Sequence, residues 1–253
     1  MKALVTGASS GIGRDIAIYL SELGYDLILV SRDVNRLKET ANKIKTNVEI
    51  YPIDLTGVDN CFKLHDKYKD ENIDLVVNNA GFGLFGNTWE TDINRELKMI
   101  SLNIVSVHIL TKLFLEDMIK KDRGYILNVA SSAGFLAGPG LNTYYATKNY
   151  VTKWTMGIYE ELRHIKSNVH ISCLCPGPVN TNFNKVAGGS FSIKGLSSEY
   201  VAKYAIDKTF KKKLIIIPGF FVRLGVFMNR FISNKLSLKI VYYIQNRKVK
   251  RNG

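Results

Sequence analysis

A glycine-rich loop after the first apolar run constrains the fold of this chain more than any other feature. Residues 2–5 predict a short buried strand, and the loop that follows has the sequence TGASSGIG at 6–13. Apolar residues at helical spacing then run from Ile12 to Leu23, so the loop opens a predicted helix. Glycines permit a tight turn and close backbone approach, and the amides of a helix N-terminus bind a pyrophosphate. The predicted phosphate-binding residues are Gly7, Ser9, Ser10, Gly11, Ile12 and Gly13.

The same loop also fits the Gly-x-Ser-x-Gly pattern of a hydrolase nucleophile elbow, with Ser9 between Gly7 and Gly11. That chemistry requires an acid and then a histidine at later strand ends. The histidines of this chain fall in predicted helices or beside a strand instead. They are His65, His108, His164 and His170. Phosphate binding is therefore the favoured interpretation, and a hydrolase is the weaker alternative.

Strand and helix patterns alternate along the rest of the chain. The continuous apolar run at 27–30 is typical of a parallel strand buried on both faces, and further strands are predicted at 48–51, 73–77, 125–130, 169–175 and 213–217. Further helices are predicted at 33–45, 57–70, 92–120 and 143–164. Asn103 interrupts the one at 92–120. This alternation predicts an α/β fold with a single Rossmann-like, doubly wound parallel sheet and helices on both faces. We expect this domain to span 1–218 and a basic amphipathic helical extension to span 219–253.

The strand, loop and helix between 128 and 148 carry the candidate catalytic groups. Tyr144 and Lys148 are four residues apart and share one face of the predicted helix. A phenol has an ordinary pKa of about 10, and a neighbouring ammonium favours its ionised form, which suits Tyr144 to general acid–base catalysis. Ser131 lies at the strand end, where its hydroxyl could bond the same substrate oxygen. Tyr-x-x-x-Lys alone is common by accident, so this assignment depends on the phosphate loop.

The end of the second strand indicates which dinucleotide binds. An acidic residue there would accept hydrogen bonds from the ribose 2′-hydroxyl, whereas an arginine binds a 2′-phosphate. The strand ends Val30-Ser31-Arg32-Asp33, so Ser31 carries no charge that repels phosphate and Arg32 can bind it. Arg32 could instead be a solvated loop residue, with Asp33 capping the next helix. We expect NADP(H) in preference to NAD(H).

Charge is unevenly distributed, and this excludes some classes of function. The net charge is +13, yet 12 basic residues and no acidic residue lie from Lys208 onward, which leaves 23 basic and 22 acidic residues before it. A near-neutral body with a basic tail argues against nucleic-acid binding. Cys61, Cys173 and Cys175 suit neither a disulfide framework nor a zinc site, and no metal is predicted. Without a visible signal peptide or an apolar run near the ~20 residues of a spanning helix, we expect a cytoplasmic location.

Several motifs stand in an order that resembles the short-chain dehydrogenase/reductase family. They are TGASSGIG at 6–13, Asp54-Leu55, NNAG at 78–81, Asn103, Ser131, Tyr144 with Lys148, and Pro176-Gly177. The resemblance covers roughly residues 1–210 and includes the spacing of 13 between Ser131 and Tyr144. It implies hydride transfer between NADP(H) and a carbonyl/alcohol pair, with the cofactor performing the hydride step. It also implies a homodimer or homotetramer built on paired long helices.

The resemblance further assigns roles to individual residues. Tyr144 would be the general acid–base, Lys148 would lower its pKa and bind the nicotinamide ribose, and Ser131 would orient the substrate oxygen. Asn103 would hold a water in the proton relay. The adjacent Tyr145 is a rival to Tyr144, but it has no lysine four residues on. Ser132, twelve residues before Tyr144, is a lesser rival to Ser131. The remaining implied cofactor contacts are Asp54, Leu55, Asn79, Ala80, Gly81, Pro176, Gly177, Val179 and Thr181.

A non-catalytic NADP(H)-binding sensor or scaffold is the alternative to an enzyme. Such proteins of this fold have usually lost the tyrosine or the lysine, and both Tyr144 and Lys148 are present here. Catalysis is therefore the favoured interpretation.

Substrate choice depends on loops at 83–88, 134–142 and 182–196, where no charged residue dominates. We therefore expect a small apolar carbonyl or alcohol as substrate. The last loop contains Gly188-Gly189, Phe183 and Phe191, which predict a mobile lid over such a substrate. An ordinary surface loop is the alternative.

The chain after Pro218-Gly219 departs from the compact family pattern. Two apolar faces alternate there with basic residues. Phe220, Leu224, Phe227 and Phe231 form the first, and Leu236, Ile240, Tyr243 and Ile244 form the second. Such a segment could lie on an anionic membrane surface as a peripheral contact or pack its apolar faces on the body or a second subunit. We weigh packing above membrane contact.

Overall fold

Seven parallel strands form one central sheet. The computed structural model describes residues 1–183, 187–188 and 195–249, without the side chains of 246–249. The sheet strands are β1 (Lys2–Thr6), β2 (Asp26–Ser31), β3 (Val48–Pro52), β4 (Leu75–Asn78), β5 (Tyr125–Val129), β6 (His170–Leu174) and β9 (Ile215–Ile216); a separate pair is formed by β7 (Val179–Asn180) and β8 (Leu196–Ser197). The sheet order is β3-β2-β1-β4-β5-β6-β9. It confirms the predicted Rossmann-like, doubly wound fold, whose connections reverse direction between β1 and β4.

Helices cover both faces of this sheet. They are α1 (Gly11–Glu22), α2 (Val34–Ala41), α3 (Val58–Tyr68), α4 (Ile93–Ile100), α5 (Ser106–Lys121), α6 (Asn142–His164), α7 (Ser198–Phe210), α8 (Phe220–Met228) and α9 (Asn234–Val249). Side chains alternate along each strand, so Val5 packs with Ile16 of α1 and Ile206 of α7 on one face. Leu4 packs with Phe114 of α5 on the other. Burial on both faces explains the apolar runs of the inner strands, whereas the edge strand β3, VEIYP, is partly exposed.

A π-turn at Ser101–Val105 joins α4 and α5 into one continuous helix, with Asn103 in the turn. This helix, Ile93–Lys121, is long and apolar enough to cross a membrane by length and composition, although the sequence suggested no such segment. Leu110 and Phe114 pack in the apolar core beside the sheet. These contacts place one side of the helix in the core of the fold.

Helix α7 has no counterpart in the sequence-based prediction. Its N-cap is Ser197, whose hydroxyl accepts a hydrogen bond from the Tyr200 N–H at 3.2 Å. Val201, Ala205 and Ile206 are buried on one helical face against α1. The cap and the apolar spacing are both visible in the sequence, directly after the substrate loop predicted at 182–196.

Two further expectations differ from the structure. The helix predicted at 33–45 ends at Ala41, because its last predicted residues form turns before β3. In the expected lid, Phe183 and Gly188 are described, whereas Gly189 and Phe191 lie outside the described residues. The two helices expected near the C-terminus exist as α8 and α9, but the apolar faces predicted to pack are largely exposed.

Candidate active site

A cleft of about 810 Å³ lies at the carboxyl ends of the central strands, beside the reversal point between β1 and β4. Nucleotides bind at this position in doubly wound sheets. Most residues predicted from the sequence line it. These are Gly7, Ser9, Ser10, Gly11, Ile12, Ser31, Arg32, Asp54, Leu55, Asn79, Ala80, Gly81, Ser131, Tyr144, Lys148, Pro176, Gly177, Val179 and Thr181. Gly13 and Asn103 were also predicted, and both lie behind the wall of the cleft.

The loop between β1 and α1 forms one end of the cleft. Gly7 and Gly11 have φ angles of 65° and 54°, a left-handed conformation that glycine adopts without steric cost. The Ser10 side chain makes no capping hydrogen bond to α1, so the amides of the first turn are oriented toward an anion in the cleft. Asn79 Nδ2 donates to the Thr6 and Gly7 oxygens at 3.0 and 3.2 Å. The side chain of Asn79 therefore holds the loop in place.

Gly13 supports the loop from behind. A Cβ at this position would lie 2.5 Å from the Gly7 oxygen and 2.3 Å from Asn79 Nδ2. Gly13→Ala is therefore expected to lower the free energy of unfolding by about 2 kcal/mol. Around Gly157 in α6 there is open space for a Cβ, so Gly157→Ala is expected to raise it by about 0.5–1 kcal/mol. Urea unfolding measures both variants, and an unchanged or higher stability of Gly13→Ala would contradict the close packing.

Two arginines lie at the end of the cleft formed by β2 and α2. Arg32 Nη1 is 3.7 Å from Asp54 Oδ2, and the Arg32 side chain is 65% exposed, so this ion pair is open to solvent. Arg36 also lines this part of the cleft, although the sequence reasoning missed it. Asp33 caps α2 by accepting a hydrogen bond from the Arg36 N–H at 3.1 Å. That contact fixes the first turn of α2 and brings its arginine beside Arg32.

Ser131, Tyr144 and Lys148 meet at the carboxyl end of β5. Lys148 Nζ is 5.8 Å from the centroid of the Tyr144 ring, one turn away on α6. The same nitrogen donates to the Val129 oxygen at 3.0 Å, which ties the ammonium to the strand end. Ser131 Oγ interacts with the Tyr144 hydroxyl, donates to the Pro176 oxygen at 3.4 Å and accepts from the Ala133 N–H at 3.1 Å. The two hydroxyls are therefore adjacent and can address one substrate oxygen.

Burial controls the protonation of both catalytic candidates on α6. It raises the pKa of Tyr144, and the hydrogen bond from Ser131 only partly opposes that rise. It also lowers the pKa of Lys148 to about 8. The Tyr144 pKa thus shifts in the direction opposite to the one expected from an adjacent ammonium, because loss of hydration is the largest cause of the shift. Tyr144 keeps its proton at neutral pH, which suits donation to a substrate oxygen.

Asn103 is fully buried in the π-turn behind the cleft. Its Oδ1 accepts from the Phe82 N–H at 3.1 Å, and its Nδ2 donates to the Phe82 oxygen at 2.9 Å and to Thr147 Oγ1 at 3.1 Å. A Cβ at Gly81 would lie 2.9 Å from Asn103 Oδ1 and 3.4 Å from Lys148 Nζ. The carboxamide therefore holds the segment after β4 against the lysine. This geometry is that of a positioning residue, and its role toward a water stays a prediction.

A family model matches the part of the chain that contains these site residues. The model for short chain dehydrogenases matches residues 1–188, which include the phosphate loop, Ser131, Tyr144 and Lys148. The chain belongs to the short-chain dehydrogenase family. This match confirms the resemblance inferred from the order of motifs, and it identifies the chain as an oxidoreductase by family.

Curated relatives of this short-chain dehydrogenase include three oxidoreductases. An uncharacterised oxidoreductase of Staphylococcus saprophyticus is 36% identical over 185 residues, which cover 71% of this chain and 78% of that protein. A very-long-chain 3-oxoacyl-CoA reductase of Mycosarcoma maydis is 31% identical over 205 residues, covering 76% and 57%. Estradiol 17-beta-dehydrogenase 11 of Rattus norvegicus is 30% identical over 241 residues, covering 91% and 80%.

Solved structures show the same architecture. A short-chain dehydrogenase of Sphingobium yanoikuyae in complex with NADPH has a TM-score of 0.82 and 25% identity, covering 90% of this chain and 92% of that one. A short-chain dehydrogenase/reductase of Burkholderia phymatum in complex with NAD also has a TM-score of 0.82 and 25% identity, covering 89% and 91%. Similar structures thus contain either dinucleotide, and the likeness alone does not distinguish them.

The C-terminal helices also contribute residues to the wall of this cleft. Gln245 of α9 donates from Nε2 to the Tyr145 hydroxyl at 2.7 Å, and Ile244 lines the cleft beside it. Phe183, a predicted lid residue, has its ring 5.3 Å from that of Tyr144. The contact of Gln245 joins residues 100 positions apart, so no local motif could indicate it.

Proposed function

We propose that this protein is an NADP(H)-dependent oxidoreductase that interconverts a carbonyl and an alcohol, with Tyr144 as the general acid–base. The observation that carries the proposal is the meeting of Ser131, Tyr144 and Lys148 in a cleft that also contains a phosphate loop. Consumption of NADPH with a panel of ketones and aldehydes tests it. Failure to reduce any carbonyl, together with failure to oxidise the matching alcohols with NADP⁺, would contradict it.

The cleft fits a nicotinamide dinucleotide from one end to the other. The uncapped amides at the start of α1 suit a pyrophosphate, and Ser31 Oγ donates to Ser9 Oγ at 2.9 Å near the adenosine end. Lys148 has three donors, one of which binds the Val129 oxygen, so it can also reach ribose hydroxyls. When bound, the cofactor supplies or accepts the hydride.

The residues of this chain handle the proton. In the direction of reduction, Tyr144 donates its phenolic proton to the substrate oxygen, which becomes the alcohol oxygen, and Ser131 donates a hydrogen bond to the same atom. The phenolate that results is stabilised by Lys148, whose pKa of about 8 leaves it mainly charged at neutral pH. In the direction of oxidation, the phenolate takes the alcohol proton and each contact is reversed.

We propose an apolar substrate. Leu136 and Ile244 line the cleft near Tyr144, and Phe183 packs 5.3 Å from its ring. Two relatives, a very-long-chain 3-oxoacyl-CoA reductase and an estradiol dehydrogenase, have names that specify substrates with a large apolar part, a very long acyl chain and estradiol. Both observations favour an apolar carbonyl or alcohol over a small acid.

The preference for NADP(H) over NAD(H) depends on Arg32, with Arg36 beside it. Arg32→Ala is expected to weaken NADPH binding roughly 10- to 100-fold, because a hydrogen bond to a charged group contributes about 1.5–3 kcal/mol. NADH has no 2′-phosphate, so its affinity is expected to change little. Titrations of both cofactors into wild type, Arg32→Ala and the exposed control Arg163→Ala measure the effect. Equal losses for NADPH and NADH would contradict the assignment of Arg32.

We also propose a homodimer or homotetramer formed through α5 and α6. On the outside of these helices, the His108 ring stacks on the Trp154 ring with 4.2 Å between the ring centroids. His108 Nδ1 is also hydrogen-bonded to the Tyr150 hydroxyl at 2.7 Å. Such an aromatic surface on paired long helices suits a contact between subunits. Light scattering of the purified protein measures the state, and a monomer at all concentrations would contradict the proposal.

A further inference from the structure

Helices α8 and α9 pack on the body through small and polar positions. Along α9 the buried residues are Ser237, Val241 and Gln245, which are four apart and form one narrow stripe. Along α8, Val226 is buried, and Val222 lies against Gly177 at the edge of the cleft. Among the described side chains, the inward stripe of the pair therefore contains three valines and hydrogen-bonding groups, and none of the phenylalanines.

Hydrogen bonds fix this inward stripe to the catalytic domain. Ser237 Oγ donates to Asn229 Oδ1 at 2.7 Å, and Asn229 Nδ2 donates to the Phe135 oxygen at 3.4 Å. Gln245 Nε2 donates to the Tyr145 hydroxyl at 2.7 Å. An amphipathic surface helix normally turns its polar side chains outward, and this pair has the reverse arrangement. Its orientation is set by contacts at the cleft.

The opposite side of the helix pair, which we call the outer face, consists of large apolar side chains. Phe221 and Phe231 are 85% and 69% exposed. On α8 and the turn after it, the exposed apolar residues are Phe220, Phe221, Leu224, Phe227, Met228 and Phe231; α9 adds Leu236, Leu238, Ile240, Tyr242 and Tyr243. A contiguous exposed surface of this kind marks a site of interaction.

The charges around the outer face indicate its partner. Arg223, Arg230, Lys235 and Lys239 are exposed among the apolar residues, and the sequence has no Asp or Glu from Lys208 onward. Contact between two copies of the outer face would bring like charges together. Phenylalanines flanked by arginine and lysine are instead the composition of helices that lie in the interface of an anionic bilayer.

We propose that the outer face binds the surface of an anionic lipid bilayer and holds the mouth of the catalytic cleft against it. Val241, Ile244 and Gln245 line the cleft on the same helix that contributes Leu236 and Ile240 to the outer face. An apolar carbonyl or alcohol dissolved in the bilayer would then enter along α9. This last step rests on the proposed function, whereas the docking of the helix pair does not.

Sedimentation with vesicles tests the docking. Wild type is expected to sediment with vesicles of phosphatidylcholine and phosphatidylglycerol, less at high salt, and to stay in solution with phosphatidylcholine alone. The double variant Phe221→Glu, Phe231→Glu is expected to lose at least about tenfold in apparent affinity, since it removes apolar insertion and adds repulsion. A matched control, Phe62→Glu with Ile165→Glu, places the same charges at exposed apolar positions elsewhere and is expected to bind like wild type.

Other outcomes would overturn the proposal. These are wild type remaining in solution with both vesicles, equal binding to both, or equal binding by the double variant. Light scattering provides a further test, because a dimer that the double variant alone loses would assign the outer face to a second copy. Circular dichroism of each variant verifies that it is folded, and NADPH binding, measured separately, reports on the cleft.

Turnover in the presence of vesicles tests substrate entry. With a long-chain ketone dissolved in anionic vesicles, the double variant is expected to be at least about tenfold slower than wild type, in line with its loss of membrane affinity. With a short water-soluble ketone, the two proteins are expected to be equally fast. Equal rates on both ketones would overturn entry from the bilayer. If neither wild type nor the double variant turned over either ketone, the proposed function would be contradicted. Sedimentation would still decide the docking.

Discussion

Replacing Tyr144 with phenylalanine is expected to reduce NADPH-dependent carbonyl reduction by roughly 100- to 10,000-fold, the usual contribution of a general acid–base. The variant loses only the hydroxyl that Ser131 contacts, so NADPH is expected to bind with nearly unchanged affinity. Turnover at saturating NADPH and a separate titration of the cofactor measure the two effects. A sensor without turnover would show no loss on this substitution, so the experiment also distinguishes the two classes of function.

The adjacent tyrosine provides the comparison for this prediction. The Tyr145 hydroxyl accepts a hydrogen bond from Gln245 at 2.7 Å. Tyr145→Phe is expected to reduce turnover about fivefold, the equivalent of one ordinary hydrogen bond. A larger loss in Tyr145→Phe than in Tyr144→Phe would contradict the assignment of the acid–base to Tyr144.

Replacing Lys148 with methionine is expected to decrease turnover and increase stability. Loss of the ammonium removes the charge that stabilises the phenolate, so a decrease of roughly 100- to 1,000-fold is expected. Burial lowers the pKa of Lys148 from 10.5 to about 8, which means that the folded protein pays to keep this side chain charged. Lys148→Met removes that cost and also loses the hydrogen bond to Val129, which offsets part of the gain. The free energy of unfolding at pH 7 should therefore rise by about 2 kcal/mol.

The pH dependence of this stability difference follows from the same pKa values. Below pH 8 the lysine is charged in both states, so the full cost is present. Between pH 8 and 10.5 the unfolded chain binds more protons than the folded one, so wild-type stability rises with pH and the advantage of Lys148→Met declines. Urea unfolding at pH 7, 8.5 and 10 measures it, with exposed Lys153→Met as control. A variant less stable than wild type at pH 7 would contradict the account.

The central sheet and the phosphate loop could be predicted because their signals are local. Ala3, Leu4 and Val5 are buried on alternate faces of a parallel sheet, so an apolar run indicates the strand directly. Glycine at positions 7 and 11 is required by the positive φ of the loop. The spacing of Tyr144 and Lys148 likewise needs only the period of a helix.

Other features depend on contacts that sequence spacing does not encode. Arg36 reaches the cleft only because the cap at Asp33 sets the direction of α2. Gln245 meets Tyr145 across 100 positions, and the inward polar stripe of α9 reversed the expectation that its apolar residues would pack. The shift of the Tyr144 pKa could not be foreseen either, because its largest cause is burial, which is a property of the folded protein.

Titration of the purified protein with NADPH and then with NADH, followed by the fluorescence of the reduced nicotinamide, tests the central claim most directly. Saturable binding of NADPH, clearly tighter than that of NADH, is expected because the cleft combines the phosphate loop with Arg32 and Arg36. Preferred binding of NADH would contradict the role of Arg32. Absence of binding by either dinucleotide would contradict the account as a whole.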